Sequence, residues 1–321
     1  MDDRVLVLAT GGTIASTAGD GAGARPTEAG DELVAAVPAL DGRVVVEDVA
    51  RCPSVDMTFE TLAGVRRRVR GWDGDAGVVV LHGTDTVEES AYYLDLTAGE
   101  GPPVVFTGAQ RRPDQPGADG PANIRDAVAA AATPDVVAAG GSYVLLNGEL
   151  HAAADVVKAH TWRPDAFASP DAGPVASFGP AGIERHRAFG SRTPTVPLAE
   201  PPTGTVAVVS TGIDVTDRQL RRAVDAGVDG VVLECTGLGN APEPVADAVA
   251  DAVDMGVPVV VASRCHAGSV APVYGGGGGQ ALADHGALFA GALPASKARI
   301  KLLVGLTAGV ALDELFASPG A

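Results

Sequence analysis

The sequence predicts an α/β fold, with a larger N-terminal parallel-sheet domain covered by helices on both faces and a smaller C-terminal α/β domain. Three observations carry that prediction. Short runs of β-branched and aliphatic residues are apolar throughout rather than alternating, as expected of strands buried on both faces, and Ala-rich stretches of helical length separate them. A proline-rich break divides the series in two. The 321 residues are enough for about two domains.

In chain order, Val5 to Leu8, Val44 to Val46, Val78 to Leu81, Val104 to Phe106 and Tyr143 to Leu146 are the expected strands of the first domain, residues 1–180. Helices are expected near 28–37, 58–70, 86–97 and 121–132. Residues 181–203, with Pro194, Pro197, Pro201 and Pro202 and no periodicity, read as a linker. The second domain, 204–321, repeats the pattern with strands at Val206 to Val209, Val231 to Leu233, Val257 to Val261 and Ala287 to Phe289. Its helices fall near 216–226, 243–255 and 295–306. On the last of these, Lys297 and Lys301 lie four apart beside Arg299 and read as a solvated face.

Composition narrows the function. Acidic residues number 40 against 23 basic ones, a net charge of −17, and neutralising a phosphate backbone takes clustered Lys and Arg, so nucleic acid is not an expected partner. A charge this negative keeps proteins soluble in concentrated salt, so a salt-loving source is expected; a GC-rich genome would give the same Ala, Arg and Asp bias. Three isolated cysteines, Cys52, Cys235 and Cys265, form no disulfide framework and no C-x-x-C pair. No apolar run reaches 18 residues and the start has no leader pattern, so a soluble cytoplasmic protein away from membranes is expected. No Walker A, G-x-S-x-G or G-x-G-x-x-G motif is present, and the six histidines have no metal-ligand spacing.

Ligands of open parallel sheets collect beyond the carboxyl ends of the strands, and three such ends are rich in hydroxyls. After the first strand comes Ala9-Thr10-Gly11-Gly12-Thr13-Ile14-Ala15, where paired glycines allow a sharp turn. This is either a plain βα turn or the setting of a nucleophile, Thr13, whose proton a neighbouring group must remove. After the third strand comes His82-Gly83-Thr84-Asp85-Thr86-Val87-Glu88-Glu89. Asp85 with Glu88 three residues on fits a helix capping box; Asp85 could equally hold a ligand ammonium. After the second strand, Ser54 and Asp56 are candidates for a polar contact or for a helix start. Lys158 stands among apolar and small residues, and next to a carboxylate it could orient and activate a threonine hydroxyl.

Together these residues resemble the bacterial-type (type I/II) L-asparaginase family. Thr10-Gly11-Gly12-Thr13-Ile14-Ala15 looks like its first signature and His82-Gly83-Thr84-Asp85-Thr86 its second. The similarity continues through Phe106-Thr107-Gly108-Ala109-Gln110-Arg111, Gly120-Pro121-Ala122-Asn123-Ile124, Val156-Val157-Lys158, Arg264-Cys265-His266-Ala267-Gly268 and Lys297-Ala298-Arg299-Ile300. The resemblance implies hydrolysis of L-asparagine to L-aspartate and ammonia through a covalent acyl-enzyme, without metal or cofactor. By position, Thr13 would attack the side-chain amide, and Thr84, Asp85 and Lys158 would form the second catalytic group; the residues leave open which threonine attacks first. Ser54 and Asp85 would hold the α-carboxylate and α-ammonium, with the Ala109 carbonyl near the scissile amide. Asn240 matches a position supplied by a neighbouring subunit, so a homodimer or homotetramer with shared active sites is implied.

The chain also departs from the family pattern. No tyrosine occurs at 17–31, although Thr17 to Gly30 is expected to act as a lid; Val55 replaces a common glutamine; no carboxylate occurs between Met255 and Ala283. Two alternatives therefore stand beside an asparaginase. One is the asparaginase-like, ammonia-releasing subunit of a tRNA amidotransferase, against which the acidic charge and the nine residues before Thr10 are expected to weigh. The other is a non-catalytic amino-acid-binding relative.

Overall fold

The computed structural model describes residues 4–18, 23–191 and 193–317. The chain divides into two compact units between Pro197 and Leu198. In the first, an eight-stranded sheet runs β12-β11-β8-β7-β6-β5-β1-β4. Its strands are β1 (Val5–Gly11), β4 (Val44–Cys52), β5 (Val78–Leu81), β6 (Val104–Thr107), β7 (Ser142–Leu146), β8 (Glu149–Ala152), β11 (Ala176–Gly179) and β12 (Gly182–Arg185). From β4 to β7 every neighbour is parallel, while β8, β11 and β12 add antiparallel. Two short hairpins stand apart from it: β2 (Ser16–Thr17) with β3 (Arg25–Pro26), and β9 (Val157–Lys158) with β10 (Phe167–Ala168).

Helices α1 (Gly30–Ala35), α2 (Phe59–Gly71), α3 (Val87–Thr97), α4 (Gly120–Ala131) and α5 (Pro134–Ala139) complete the unit. Alternate strand residues Val5, Val7, Ala9, Val79, Leu81, Val105 and Leu145 share one core with Leu33 of α1 and Ile124, Ala127 and Val128 of α4. Successive strand side chains point to opposite faces, so Leu6, Leu8, Val78 and Val80 belong to the other face, and they are buried as well. There α3 packs on β6 and β7, with α2 against α3. This double burial explains the unbroken apolar runs, each buried Val or Leu contributing about 1.5–3 kcal/mol.

Part of the expected linker, 181–203, is structured within the first unit. Gly182–Arg185 is β12, paired with β11, and the Val196 N–H donates to the Leu96 carbonyl. These strands are half-exposed and weakly apolar, so they carry little periodic signal.

The second unit holds a four-stranded parallel sheet, β13 (Val206–Ser210), β14 (Gly230–Cys235), β15 (Val259–Ser263) and β16 (Leu288–Phe289), with α6 (Arg218–Asp225), α7 (Glu243–Asp254), α8 (Gly279–Asp284), α9 (Ala295–Ala308) and α10 (Leu312–Phe316). Lys297 and Lys301 are buried, not solvated, because the face of α9 they share is covered rather than open to water. The Lys301 ammonium lies 4.8 Å from the centre of the Phe316 ring, and burial pulls its pKa down to about 8. No helix among the described residues is long and apolar enough to cross a membrane.

Candidate active site

Three glycines bring the strand ends of the first unit into main-chain contact. A Cβ on Gly12 (φ +88°) would lie 2.2 Å from the Cα of Gly83, and one on Gly83 would lie 2.7 Å from Ser54 Oγ. One on Gly108 would lie 2.4 Å from the His82 carbonyl oxygen. Real Cβ atoms do not approach so closely, so only glycine lets the turns after β1, β5 and β6 touch. Thr13 follows Gly12, Thr84 follows Gly83 and Ala109 follows Gly108, so the seam carries these residues to one place. Ser54 joins them at the end of β4. Its Oγ accepts the Asp85 N–H at 3.2 Å, and its carbonyl accepts the Thr86 hydroxyl at 2.7 Å.

Lys158, on β9, reaches the same place. Its ammonium donates to Thr84 Oγ1 at 2.9 Å and to Asp85 Oδ1 at 2.7 Å. The lysine side chain is 14% exposed and the aspartate 63%, so the cation is largely withdrawn from water while the carboxylate remains open to it. The expected capping box is not formed. Thr86 is the N-cap of α3; Asp85 binds the lysine, and Glu88 accepts the backbone N–H of Lys158 at 2.5 Å.

The turn carrying Ala109 is held from behind by two residues of α4 and its entry. Asp119 accepts the Gln110 and Arg111 N–H groups at 3.0 and 2.8 Å. Asn123, fully buried, donates to the Gly108 carbonyl at 2.9 Å and accepts the Asn147 N–H at 3.0 Å. With both flanking peptides fixed, the orientation of the Ala109 carbonyl is set in advance of any ligand.

His82, also fully buried, supports the Thr84 turn. Nδ1 lies 2.7 Å from the Gly83 carbonyl, which can only accept, so Nδ1 carries the proton and Nε2 accepts the Ser90 hydroxyl at 2.9 Å. Burial lowers its pKa to about 4, against a weaker opposing effect of the Gly83 bond. The unfolded chain, with an ordinary imidazole, binds the proton more tightly between pH 6.5 and 4, so this part of stability is complete above pH 6.5 and is lost as pH falls towards 4. Denaturant titrations should show about 3 kcal/mol lost across that window, and His82→Gln should flatten the slope. An unchanged acid limb in the variant would refute the assignment.

The first part of the expected lid is the β2–β3 hairpin, pinned by the Thr17–Thr27 hydroxyl pair at 2.8 Å and by the Ala18 N–H on Asp114 at 3.0 Å. Residues 19–22 of that stretch lie outside the described residues. Asn240 belongs to the second unit, in the turn after β14. There its Oδ1 accepts the Gly279 N–H at 3.1 Å, and its carbonyl accepts Thr236 N–H and hydroxyl at 3.1 and 3.0 Å. No group of three His, Cys, Asp or Glu among the described residues could hold a metal. The sequence by itself assigns no role to His82, Asp119 or Asn123 and marks Glu88 only as a cap. Asn123 stands in one of the resembling segments, which is the one signal available for it.

Residues 4–188 match the asparaginase N-terminal family, and residues 205–316 match the glutaminase/asparaginase C-terminal domain. An L-asparaginase of Bacillus licheniformis is 34% identical over 322 residues, covering 95% of each chain. A glutamyl-tRNA(Gln) amidotransferase chain of Methanothermobacter thermautotrophicus is 34% identical over 280 residues, covering 83% of this chain and 63% of that one. Among solved structures, a probable cytoplasmic L-asparaginase from Campylobacter jejuni superposes with a TM-score of 0.84 at 29% identity, covering 95% of both chains.

Proposed function

The chain belongs to the asparaginase family, matched along both of its units, and on that premise we propose that it hydrolyses L-asparagine to L-aspartate and ammonia through a covalent acyl-threonine intermediate. The observation that carries this reading is the Lys158 ammonium on Thr84 Oγ1 and Asp85, on a turn in contact with the one that presents Thr13. Amide cleavage needs a nucleophile, a proton for the departing ammonia and donors for the tetrahedral oxyanion. Thr13 attacks the side-chain amide carbon, and its hydroxyl proton passes to the Thr84 oxygen, replacing the one that Thr84 gives up as the C–N bond breaks. With Nζ donating to its oxygen, Thr84 is left to point its own hydroxyl proton outward, and it hands that proton to the leaving nitrogen while the ammonium offsets the charge that develops. Water then attacks the ester carbonyl carbon and gives a proton to Thr84, which passes its own to Thr13 Oγ1 as the acyl C–O bond breaks and aspartate is released.

Ser54 and Asp85 hold the α-carboxylate and α-ammonium, and the Ala109 carbonyl faces the scissile amide. We place the enzyme in the cytoplasm as a homo-oligomer, with Asn240 entering the site from a neighbouring subunit. The test is ammonia release from asparagine and from glutamine, in dilute and in molar salt. Release from asparagine supports the reading, whereas a ligand-dependent melting shift without ammonia points to a binding protein.

A second reading is favoured by the relatedness to the amidotransferase chain: ammonia delivery to a partner that modifies tRNA. Its mark would be co-purification with such a partner and ammonia release that rises in the complex. The net charge of −17 argues against direct contact with tRNA.

A further inference from the structure

We propose that Glu88 is a positioning residue for the reaction, one that fixes the main chain of Lys158 so that its ammonium meets Thr84 and Asp85. The inference rests on the asparaginase reading of the site for its kinetic consequence, and on geometry alone for its structural one. Lys158 stands on a small hairpin, which Ala159 and His160 extend by donating their N–H groups to the Ala166 carbonyl. Its strand is two residues long, pairs only Val157 and Lys158 with Ala168 and Phe167, and lies outside the eight-stranded sheet. A lysine side chain has four rotatable bonds, so a small shift of its backbone redirects the ammonium.

Against that freedom stands one strong bond from a distant part of the chain. The Glu88 carboxylate accepts the Lys158 N–H at 2.5 Å across 70 residues of sequence, a short contact that ties the backbone of β9 to the start of α3. Glu88 sits in the first turn of α3, where the helix dipole favours its negative charge and the rigid helix fixes its position. Two carboxylates three residues apart thus grip the two ends of one lysine. Asp85 takes the ammonium and Glu88 takes the backbone. Glu88 does not touch the reacting atoms; it acts through Lys158.

What matters in this arrangement is the reach of an acceptor more than its charge, and three variants separate the two. Glu88→Gln keeps the reach and an acceptor oxygen; Glu88→Asp keeps the charge and is one methylene too short; Glu88→Ala has neither. Steady-state kinetics on L-asparagine should show kcat lowered about 10- to 100-fold in the Asp and Ala variants, with KM within about threefold and Gln within about threefold of the parent in both constants. Hydrogen exchange supplies a readout independent of turnover. The Lys158 amide should lose protection by about tenfold or more in the Asp and Ala variants and retain it in Gln.

Parent-like kcat and protection in all three variants would overturn the proposal, as would a Gln variant damaged as badly as Ala. A parent protein that releases no ammonia would remove the asparaginase reading while leaving the exchange pattern to decide the role of Glu88.

Discussion

Lys158→Met is expected to lower kcat for ammonia release from L-asparagine by about 10²–10³-fold, the range associated with losing a positioned donor that stabilises developing charge. Methionine keeps the length and the apolar stem of lysine but has nothing to donate to Thr84 or Asp85. The pair it removes is partly solvated, with the aspartate 63% exposed, so stability should change by less than about 1 kcal/mol. A large kinetic loss in a normally melting protein is thus the expected signature. Thr84→Val, which removes the hydroxyl at the other end of the 2.9 Å contact, should give a loss of the same order. The double variant should be little worse than either single one, because groups acting as a unit are not additive. Activity within tenfold of the parent in both single variants would remove Lys158 and Thr84 from the chemistry.

The second large effect concerns the glycine seam. Gly12→Ala places a Cβ where the Cα of Gly83 would be only 2.2 Å away, on a residue whose φ of +88° an L side chain resists. Neither neighbour can yield, since both are main chain. Backbone strain and overpacking each cost about 1–3 kcal/mol, so a loss of roughly 3 kcal/mol or more is expected. For a unit of this size that corresponds to a fall in Tm of about 10 °C, and any folded fraction should have the two threonine turns pushed apart and no activity. Gly42→Ala is the control. Its φ is also positive, +69°, but nothing lies within 4 Å of the added atom, so it should cost about 1–3 kcal/mol and leave catalysis intact. Equal Tm losses in the two variants would show that conformation alone, not contact between turns, explains the glycine.

The part of the fold that could be read in the sequence is the part buried on both faces. Strands β1, β5, β6 and β7 announce themselves because each residue of such a strand must be apolar, whatever its parity. β11 and β12 carry half-exposed, weakly apolar side chains and are indistinguishable from a connection. Lys297 and Lys301 mislead for the opposite reason: charge suggests water, whereas the covered face of α9 decides their environment.

In the site, Thr13, Ser54, Thr84 and Asp85 are legible because they end strands, where the topology collects them, whereas Ala109 is named only through the family resemblance. The supporting bonds are not. Asn123 to Asn147, Ser90 to His82 and Glu88 to Lys158 depend on which turns become neighbours, and no local spacing encodes that.

The meeting of Gly12, Gly83 and Gly108 with their neighbours also sets a ruler. The gap between the hydroxyl-bearing turns is the thickness of a polypeptide backbone, a length that no rotamer change in the surrounding helices can stretch. Layers α1 and α2 are therefore open to wholesale repacking for heat resistance, provided the three tips stay bare, and the spacing of the hydroxyl-bearing turns should come through unaltered.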